Sequence, residues 1–546
     1  MTEDLYVLPA SYGQQRLWLL EQIDPDTPLY NEAVGLRLRG PLDTAALAAA
    51  MSEVVARHEV LRSVLELEGA EVVQVVREAE PLALPLHEAD SHDMALTEAR
   101  ELAAVPFDLG RGPLVRCRLT RTGPDDHLFT VVVHHAVADG WSLGVLLAEL
   151  TQLYEAAVRG EDLSAVLPEL AVQYADFAAW QKERLDTGEL DGQLDHWRAR
   201  LADVAQPALP TDHVPAGAPG RGTVQAPLRL PAAMVRQLRA VAGDTGDVTP
   251  FMVALAAYAV VLARWTRSPD VVVGLPFVGR SQEELESLVG FFVNTVPVRV
   301  DLSADPEFTA LLGQVRGRCV DAYGNADVPF ELLVETLKLP RRSGRTPLTQ
   351  TMLAVNNTWL PDGAEAAGVA IEPTTLLQER AHFEITVDLD GDGDELTGAV
   401  VLQADLFTQE TADLLARSVT AVLRGAAMAP GTRISALPCP LAEERAAAPA
   451  DETRDVRRDE TEPATQQARQ AGPAQAPRSA TEIMLARLWT EVLERDTVGV
   501  HEEFYAAGGN SLRAVRVVMR AREQGVELPM ERVLGEHTIR ELADLL

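Results

Sequence analysis

Positive charge is scarce in this 546-residue chain. It has 48 Lys and Arg residues against 82 Asp and Glu residues, which gives a formal net charge of -34 at pH 7. Nucleic-acid binding depends on clustered basic side chains that neutralise phosphates, and an anionic membrane surface repels a polyanion. We therefore expect neither nucleic acid nor a membrane as a partner, and a solvated acidic surface instead.

Cysteine and long apolar runs are equally scarce. Cys117, Cys319 and Cys439 lie far apart, without the spacing of a metal site. So sparse and odd a set favours a reducing compartment and no disulfide framework. The opening MTEDLYVLPAS lacks the basic start and apolar run of a signal peptide, and no uninterrupted apolar segment is long enough to span a bilayer. These features predict a cytoplasmic protein, and we expect no metal site.

Hydrophobic residues, by contrast, make up 47% of the chain, which is ample for large buried cores. Up to about residue 435, helical patterns such as TAALAAAMSEVVARHEVL alternate with strand-like runs such as HLFTVVVHH. This alternation predicts α/β layers. Because one core seldom grows to this size, we expect two lobes. A stretch rich in helical pattern, residues 174–204, is predicted to bridge them.

The texture of the sequence changes near its C-terminal end. Residues 441–478 are mostly Ala, Pro, Gln and charged residues, with almost no large apolar side chain, which predicts a flexible linker. Ser479 and Glu482 then form an S-x-x-E capping-box pattern before the amphipathic run IMLARLWTEVLE. Residues 479–546 are therefore predicted to form a small bundle of about four helices.

A serine in this small module stands at the predicted start of a helix. Gly508 and Gly509 permit a tight turn, and Asn510 and Ser511 lead into an amphipathic segment. Most serines in such a position are only helix caps. The module as a whole, however, resembles the acyl or peptidyl carrier domains of modular synthetases, whose motif is G-G-x-S-L. Asn510 departs from the acid or histidine that commonly precedes the serine.

The resemblance to carrier domains implies a covalent cofactor. Ser511 would carry 4'-phosphopantetheine, attached by a phosphopantetheinyl transferase. A phosphodiester at a helix N-terminus is also favourable electrostatically, because the free N–H groups and the helix dipole attract negative charge.

The stretch VVVHHAVADGWS, residues 131–142, joins a strand pattern to the start of a helix. Neighbouring side chains of a strand point to opposite faces, so His134 and His135 are predicted to face different environments. A lone histidine or an Asp-Gly pair is usually structural. The combination of a strand, His-His, a three-residue spacer and Asp139-Gly140 before a helix is more specific.

That combination resembles the H-H-x-x-x-D-G motif of nonribosomal peptide synthetase condensation domains, which belong to the chloramphenicol-acetyltransferase-like superfamily. Further stretches resemble the other signatures of this family and follow in the same order. They are SYGQQRLWLL (Ser11, Gln14, Arg16), RHEVLRSV (Arg57, His58), YADFAAWQ (Tyr174, Asp176, Trp180), VGFFVNTVPVR (Gly290, Phe292, Asn294, Arg299), DVPFELL (Asp327, Glu331) and, less closely, RRSGRTPLTQTML.

The family resemblance implies an α/β fold of two chloramphenicol-acetyltransferase-like lobes. They would form a V-shaped pseudo-dimer with a tunnel between them, followed by a four-helix carrier domain. The second lobe would send a crossover strand and a floor loop to the first, for which residues 401–407 and 290–296 are the candidates. The predicted boundaries are 1–173 and 174–440 for the two condensation lobes, 441–478 for the linker and 479–546 for the carrier domain.

The same resemblance assigns roles to the residues of the site. His135 would be catalytic, either as a general base or as a group that positions the attacking amine. The backbone N–H of Gly140 would stabilise the oxyanion. Asp139 would form a structural ion pair with Arg299 rather than orient His135 as in a catalytic triad. His134 would be structural.

The implied function is that of a condensation–carrier didomain acting as a monomer. Its partners would be an upstream donor carrier domain, a phosphopantetheinyl transferase and an adenylation enzyme acting in trans, since 441–478 is too short for an adenylation domain. Epimerisation domains share the fold, but Gly140-Trp141-Ser142 fits condensation better, and cyclisation domains have acids in place of the histidines. An acyltransferase that uses a soluble amine or alcohol, and a non-catalytic recruitment platform for tailoring enzymes, remain as alternatives.

Overall fold

The computed structural model describes residues 6–69, 71–204, 209–213, 222–241, 248–337, 346–356, 364–376, 381–391, 393–447, 477–493, 495–504, 507–509, 511–528, 532–533 and 537–546. Its strands are β1 (Tyr6–Pro9), β2 (Asn31–Arg39), β3 (Ser63–Glu68), β4 (Glu71–Val76), β5 (Leu86–Glu88), β6 (Val115–Gly123), β7 (Asp126–His134), β8 (Thr223–Leu230), β9 (Asp270–Phe277), β10 (Asn294–Asp301), β11 (Thr351–Asn356), β12 (Ala364–Ala366), β13 (Val369–Thr375), β14 (Ile385–Asp390) and β15 (Leu396–Gln403).

The helices follow in the same chain order. They are α1 (Tyr12–Ile23), α2 (Thr44–Arg57), α3 (His92–Ala103), α4 (Gly140–Val158), α5 (Tyr174–Asp186), α6 (Asp191–Arg200), α7 (Ala232–Val241), α8 (Pro250–Thr266), α9 (Glu283–Glu286), α10 (Phe308–Tyr323), α11 (Phe330–Leu337), α12 (Gln409–Met428), α13 (Pro440–Ala447), α14 (Ala480–Leu493), α15 (Ser511–Glu523) and α16 (Ile539–Leu545). None of these helices in the described ranges is long and apolar enough to cross a membrane.

The first lobe is built on a mixed six-stranded sheet with the order β12-β13-β2-β7-β6-β5. Its central strand β7 has apolar side chains from Leu128 to Val133 except at Thr130, and all of its residues after Asp126 are buried. Helix α3 packs against β2, β6 and β7, and α2 packs against α4. A separate three-stranded sheet, β1-β4-β3, belongs to the same part of the chain.

The second lobe has its own mixed six-stranded sheet, in the order β10-β9-β11-β14-β15-β8. Helix α8 is buried along nearly its whole circumference, which matches its all-round apolar sequence. It begins at the N-cap Thr249, whose side chain accepts from the N–H of Met252, with Pro250 in the first helical turn. Helices α10 and α12 pack against α8 and complete this core. Two layered α/β lobes are thus present, as the sequence predicts.

The strand that crosses between the lobes is β13, not the segment expected from the sequence. Val369–Thr375 pairs antiparallel with β2 and so adds a strand from the second half of the chain to the first sheet. Residues 401–407 do not cross, because Leu396–Gln403 is hydrogen-bonded between β14 and β8 in the second sheet. The buried Val400 and Leu402 hold that strand in the second lobe's core.

Two helices link the lobes along the chain. Helix α5 packs against β1 of the first lobe. Helix α6 packs against α11 of the second lobe, where the indole N–H of Trp197 donates to the carbonyl of Asn325 at 2.8 Å. The segment 174–204 therefore contacts both lobes.

The smaller C-terminal unit contains α14, α15 and α16. The predicted capping box is confirmed, since the N–H of Glu482 donates to the Ser479 hydroxyl and the N–H of Ser479 donates to the Glu482 carboxylate. Trp489 and Phe504 are fully buried and meet edge to face at 4.9 Å. The expected linker begins within helix Pro440–Ala447, and residues 448–476 lie outside the described ranges.

Candidate active site

The two adjacent histidines at the end of β7 face different environments, as the alternation of a strand predicts. His134 is buried, and its ring lies edge-on to Phe107 with the centroids 6.1 Å apart. Its Nδ1 accepts a hydrogen bond from the N–H of Ala136 at 3.0 Å. Burial, together with the neighbouring His135 and Arg116, lowers the pKa of His134 to about 3, so this ring is neutral. Its environment supports the structural role expected for it.

His135 occupies the first position of the turn that follows β7. Its Nδ1 donates to the carbonyl of Ala138 at 2.7 Å, which fixes the ring's orientation and leaves Nε2 as the basic nitrogen of the neutral imidazole. The ring lies 4.7 Å from that of Phe291, and its side chain is 18% exposed. Because Nδ1 pairs with a backbone carbonyl, Asp139 does not orient this ring as in a catalytic triad.

A cavity of about 180 Å³ adjoins His135 and is lined by residues of both lobes. Its lining from the first lobe includes Ser11, Arg16, Tyr30 and His135, and from the later part of the chain Phe291, Asn294, Glu331, Met352 and His382. Gly140 is not among the lining residues; it is the first residue of α4. The structure therefore brings one predicted catalytic residue to the cavity and places the other at an adjacent helix start.

Asp139 is buried and pairs with an arginine that the sequence analysis did not single out. Its Oδ1 lies 3.1 Å from Nη2 of Arg280, and both side chains are almost fully buried. The same carboxylate caps α4 by accepting from the N–H of Ser142, and its Oδ2 accepts from the N–H of Phe292. Asp139 thus joins the first lobe to the segment around residue 290.

The expected ion pair between Asp139 and Arg299 is wrong. Arg299 forms a two-point pair with Asp270, at 2.8 and 2.7 Å, and also donates to the carbonyl of Ala202. The physical reason is strand geometry, because Arg299 lies five residues into β10 from Asn294, about 17 Å along an extended chain. Arg299 braces β10 against β9 and does not reach the active site.

Of residues 290–296, predicted as a floor loop, 290–292 lie against the first lobe, whereas Asn294 already begins β10 of the second sheet. The Ser142 hydroxyl accepts from the N–H of Gly290 at 3.0 Å, and the Tyr174 hydroxyl donates to the carbonyl of Phe291 at 2.8 Å. Tyr174 also accepts from the Ser11 hydroxyl at 2.7 Å. A Cβ atom on Gly290 would lie 2.1 Å from the Tyr174 ring, so only glycine permits this approach.

Other signature residues also meet near the cavity. Arg16 on α1 forms an ion pair with Glu331 on α11 at 3.1 Å. The side-chain amide of Asn294 donates to the carbonyls of residues 326 and 328, and its oxygen accepts from the N–H of Phe330. Stretches more than 300 residues apart in the chain thus build one site.

Sequence reasoning missed Glu32 and His382, both close to His135. Glu32 lies on β2, and His382 lies between the crossing strand β13 and β14. Oε1 of Glu32 is 3.8 Å from Nε2 of His135 and 4.0 Å from Nε2 of His382. Glu32 comes beside His135 through the register of the β2–β7 pair, in which Asn31 lies opposite His134. This register has to be known before Glu32 can be predicted. Nothing in the local sequence places His382 there.

In the small unit, Ser511 is the first residue of the 13-residue helix α15. The two glycines before it are both required, since Gly508 has a φ of +97° and a Cβ atom on Gly509 would lie 2.4 Å from the Phe504 ring. Arg513 donates to the carbonyl of Gly508 at 2.9 Å and brings a positive charge to this turn. Asn510 lies outside the described residues. A turn of this kind before a helix start suits a phosphodiester on Ser511.

Comparison with known proteins identifies both units. The condensation-domain family matches residues 5–447. This chain belongs to the condensation-domain family. Residues 485–546 match the phosphopantetheine attachment site, so a carrier domain follows the condensation domain.

The condensation domain is similar to parts of larger synthetases. It is 38% identical over 452 residues to phosphinothricin tripeptide synthetase PhsC of Streptomyces viridochromogenes, covering 79% of this chain and 40% of that protein. It is 39% identical over 451 residues to the isonitrile lipopeptide synthase of Mycobacterium tuberculosis, covering 79% of this chain and 18% of that protein. The chain therefore spans less than half the length of either relative.

Among solved structures, the condensation domain is similar to the X-domain from teicoplanin biosynthesis. The TM-score is 0.73 at 33% identity, covering 79% of this chain and 97% of that chain. The two-lobed α/β fold expected for the family is thereby confirmed.

Breaking the Asp139–Arg280 pair is expected to destabilise the condensation domain strongly. Arg280→Ala leaves a buried carboxylate uncompensated, and such losses cost about 3–5 kcal/mol. In urea unfolding, Asp139→Ala and Arg280→Ala should be strongly non-additive. Arg299→Ala is the matched control and should add to Asp139→Ala within about 0.5 kcal/mol. Coupling of Asp139 to Arg299 instead of Arg280 would contradict the observed pairing.

Proposed function

We propose that this chain forms an amide bond between two carrier-bound substrates. The donor is an acyl or peptidyl thioester on an upstream carrier domain, and the acceptor is an amine held by phosphopantetheine on Ser511. The observation that supports this most is the placement of His135, whose ring lines a cavity shared by both lobes while Nδ1 is held by Ala138. This arrangement leaves Nε2 of His135 able to accept a proton from a substrate in the cavity.

Attack of an amine on a thioester sets the demands on the site. A free α-amino group has a pKa near 8, so roughly a tenth of it is neutral at pH 7. His135 removes the surplus proton, a step that contributes about 100- to 10,000-fold in general-base catalysis. Because a thioester is already activated, bringing the reactants together contributes most, roughly 7–11 kcal/mol.

The oxygen of the tetrahedral intermediate needs a hydrogen-bond donor. The N–H of Gly140 lies in the first turn of α4, where N–H groups lack an intrahelical acceptor and the dipole is positive. The Asp139 carboxylate accepts hydrogen bonds from the N–H groups of Ser142 and Phe292. Neither contact involves the N–H of Gly140. We propose Gly140 as the oxyanion donor on this basis.

We propose that the acceptor is loaded in trans. Only residues 448–484 separate the two matched regions, too few for an adenylation domain. A separate adenylation enzyme and a phosphopantetheinyl transferase are therefore the expected partners of the carrier domain. Its pantetheine supplies the thiol that carries the acceptor as a thioester. The three buried cysteines form no disulfide with one another, which suits the reducing cytoplasm expected for such a monomeric enzyme.

A recruitment role is the second candidate. The similar X-domain has also been solved as a complex with OxyB, so a relative at 33% identity binds a partner protein. The arrangement around His135 favours catalysis in this chain, because a docking surface needs no oriented imidazole in a cavity.

The assay is a single-turnover condensation followed by intact-protein mass spectrometry. The apo chain is loaded from aminoacyl–coenzyme A conjugates by a phosphopantetheinyl transferase and mixed with a donor carrier bearing an N-acetylaminoacyl group. A condensing enzyme adds the donor's acyl group to the mass of the Ser511-linked acceptor. Loading by free-standing adenylation enzymes is tested on the same holo chain.

The other outcomes separate the alternatives. Transfer to a soluble amine or alcohol, with none to the carrier, would support a free acyltransferase. No transfer across a panel of donors and acceptors, with the loaded chain intact, would favour a recruitment platform.

A further inference from the structure

A carboxylate faces His135 from the neighbouring strand. Asn31 on β2 is the cross-strand partner of His134, and its amide donates to the carbonyls of Ala103 and Val105 on the packed face of the sheet. Strand alternation therefore directs Glu32 to the other face, which His135 also occupies. The Glu32 and His135 side chains are only 16% and 18% exposed, and Oε1 lies 3.8 Å from Nε2.

The spacing of these two atoms suits a bridging nitrogen better than a direct contact. A separation of 3.8 Å exceeds a hydrogen bond, whereas one nitrogen can lie about 2.9 Å from both atoms. Such a nitrogen would have to donate twice, because the carboxylate oxygen and the neutral Nε2 are both acceptors. A primary amine or its ammonium form meets this requirement.

We propose that Glu32 is a further catalytic residue, which holds the acceptor amine against His135 and balances the positive charge that develops there. The proposal rests on the amide-forming function proposed above. The ammonium nitrogen donates one hydrogen bond to Glu32 Oε1 and gives one proton to His135 Nε2. Its lone pair forms the C–N bond of the tetrahedral intermediate, and the C–S bond then breaks as a second proton passes from the nitrogen to the leaving sulfur. The imidazolium later releases its proton to solvent.

The two basic side chains beside this pair in the described part of the chain are either neutral or paired elsewhere. Burial and the positive neighbours His135 and Arg16 lower the pKa of His382 to about 3, so the imidazole 4.0 Å from Glu32 is neutral. Arg16 is engaged by Glu331. Burial raises the pKa of Glu32, His135 opposes that rise and Asp139 adds to it. Within the described residues, the titratable groups around the pair include Arg16, Tyr30, His134, Asp139, Glu331, His382 and Asp388.

The test is the pH profile of single-turnover condensation for Glu32→Gln, an isosteric change that removes the charge. Losing a charged hydrogen bond to the amine should lower the plateau rate about ten- to a hundredfold. A nearby carboxylate favours the protonated state, so without it the acid limb of the profile should move to lower pH by about one unit. A merely structural residue would lower the rate without moving the limb.

Two variants provide the controls. Glu32→Asp keeps the charge on a shorter arm, so its rate should fall while the midpoint stays near that of the wild type. Glu372→Gln removes a half-exposed carboxylate from β13 of the same sheet and should change neither quantity. A Glu32→Gln profile with the wild-type midpoint and a rate within about twofold of wild type would overturn the proposal.

A readout without turnover keeps this test separate from the proposed function. In histidine-selective NMR, the titration midpoint of His135, assigned by its absence in His135→Ala, should move to lower pH in Glu32→Gln. If the wild-type protein makes no amide, the proposed function is refuted, yet this titration still tests whether the charge of Glu32 acts on His135. An unchanged His135 midpoint in Glu32→Gln would refute that interaction. If Glu32→Gln failed to fold, Glu32→Asp would decide. A wild-type rate, or a lower rate accompanied by a lower melting temperature, refutes the amine contact, whereas a lower rate at the wild-type midpoint and the wild-type melting temperature supports it.

Discussion

His135→Ala is expected to slow single-turnover condensation by about 100- to 10,000-fold and to leave the melting temperature close to that of the wild type. The rate falls because Nε2 is the basic nitrogen that the turn after β7 presents beside the cavity. Stability changes little because the side chain is partly exposed and makes one hydrogen bond, to Ala138, whose net contribution is about 1 kcal/mol. Both substrates are loaded before mixing, so the assay isolates the condensation step.

The size of the remaining rate distinguishes two roles of His135. Bringing the substrates together contributes roughly 7–11 kcal/mol without the imidazole, so a measurable rate should persist. A decrease below about tenfold would indicate that His135 positions the amine and does not act as a base. His87→Ala is the matched control, since His87 is exposed on the short strand β5, and this variant should condense at the wild-type rate. Equal rates for the two variants would refute a catalytic His135.

The features that could be predicted are those whose interacting residues lie close together in the sequence. A strand that ends in two histidines must present them to opposite faces, and the structure has His134 packed and His135 beside the cavity. The S-x-x-E pattern at Ser479 likewise determines its own hydrogen bonds within one turn. In both cases the partners lie within a few residues, so no long-range packing is needed.

The errors concern partners that the tertiary fold brings from far away. Arg280 and Arg299 both flank the loop near residue 290, and sequence order does not tell which one reaches Asp139. The direction of β10 decides it, because the strand carries Arg299 away from the loop towards Asp270. The prediction that residues 401–407 cross is wrong for a similar reason, because only the packing of the second core, which buries Val400 and Leu402, keeps this strand out of the first sheet.

The H-H-x-x-x-D-G motif does not predict the neighbours of His135, as Glu32 and His382 show. They reach His135 through the pairing of β2 with β7 and through the return of the chain after β13. Their electrostatic states follow from burial: the pKa of Glu32 is raised and that of His382 falls to about 3. The motif therefore predicts the base, while the groups that set its surroundings depend on strand register and lobe packing.

Ser511→Ala is expected to abolish both pantetheinylation and condensation on this chain. Without the hydroxyl no phosphodiester forms, so the chain retains its apo mass after treatment with coenzyme A and a phosphopantetheinyl transferase. The acceptor thioester then has no attachment point, and the loss of product is complete rather than partial. Intact-protein mass spectrometry checks both steps on one sample.

Ser479→Ala separates attachment from helix capping. Ser479 caps α14 through the N–H of Glu482, and its loss should cost about 1 kcal/mol while modification stays at the wild-type level. If Ser511 were only a cap for α15, its alanine variant would show the same modest destabilisation and would still gain the pantetheine mass elsewhere. Full modification of Ser511→Ala would therefore show that another residue carries the pantetheine. It would contradict the proposal that the acceptor reaches His135 as a thioester on Ser511.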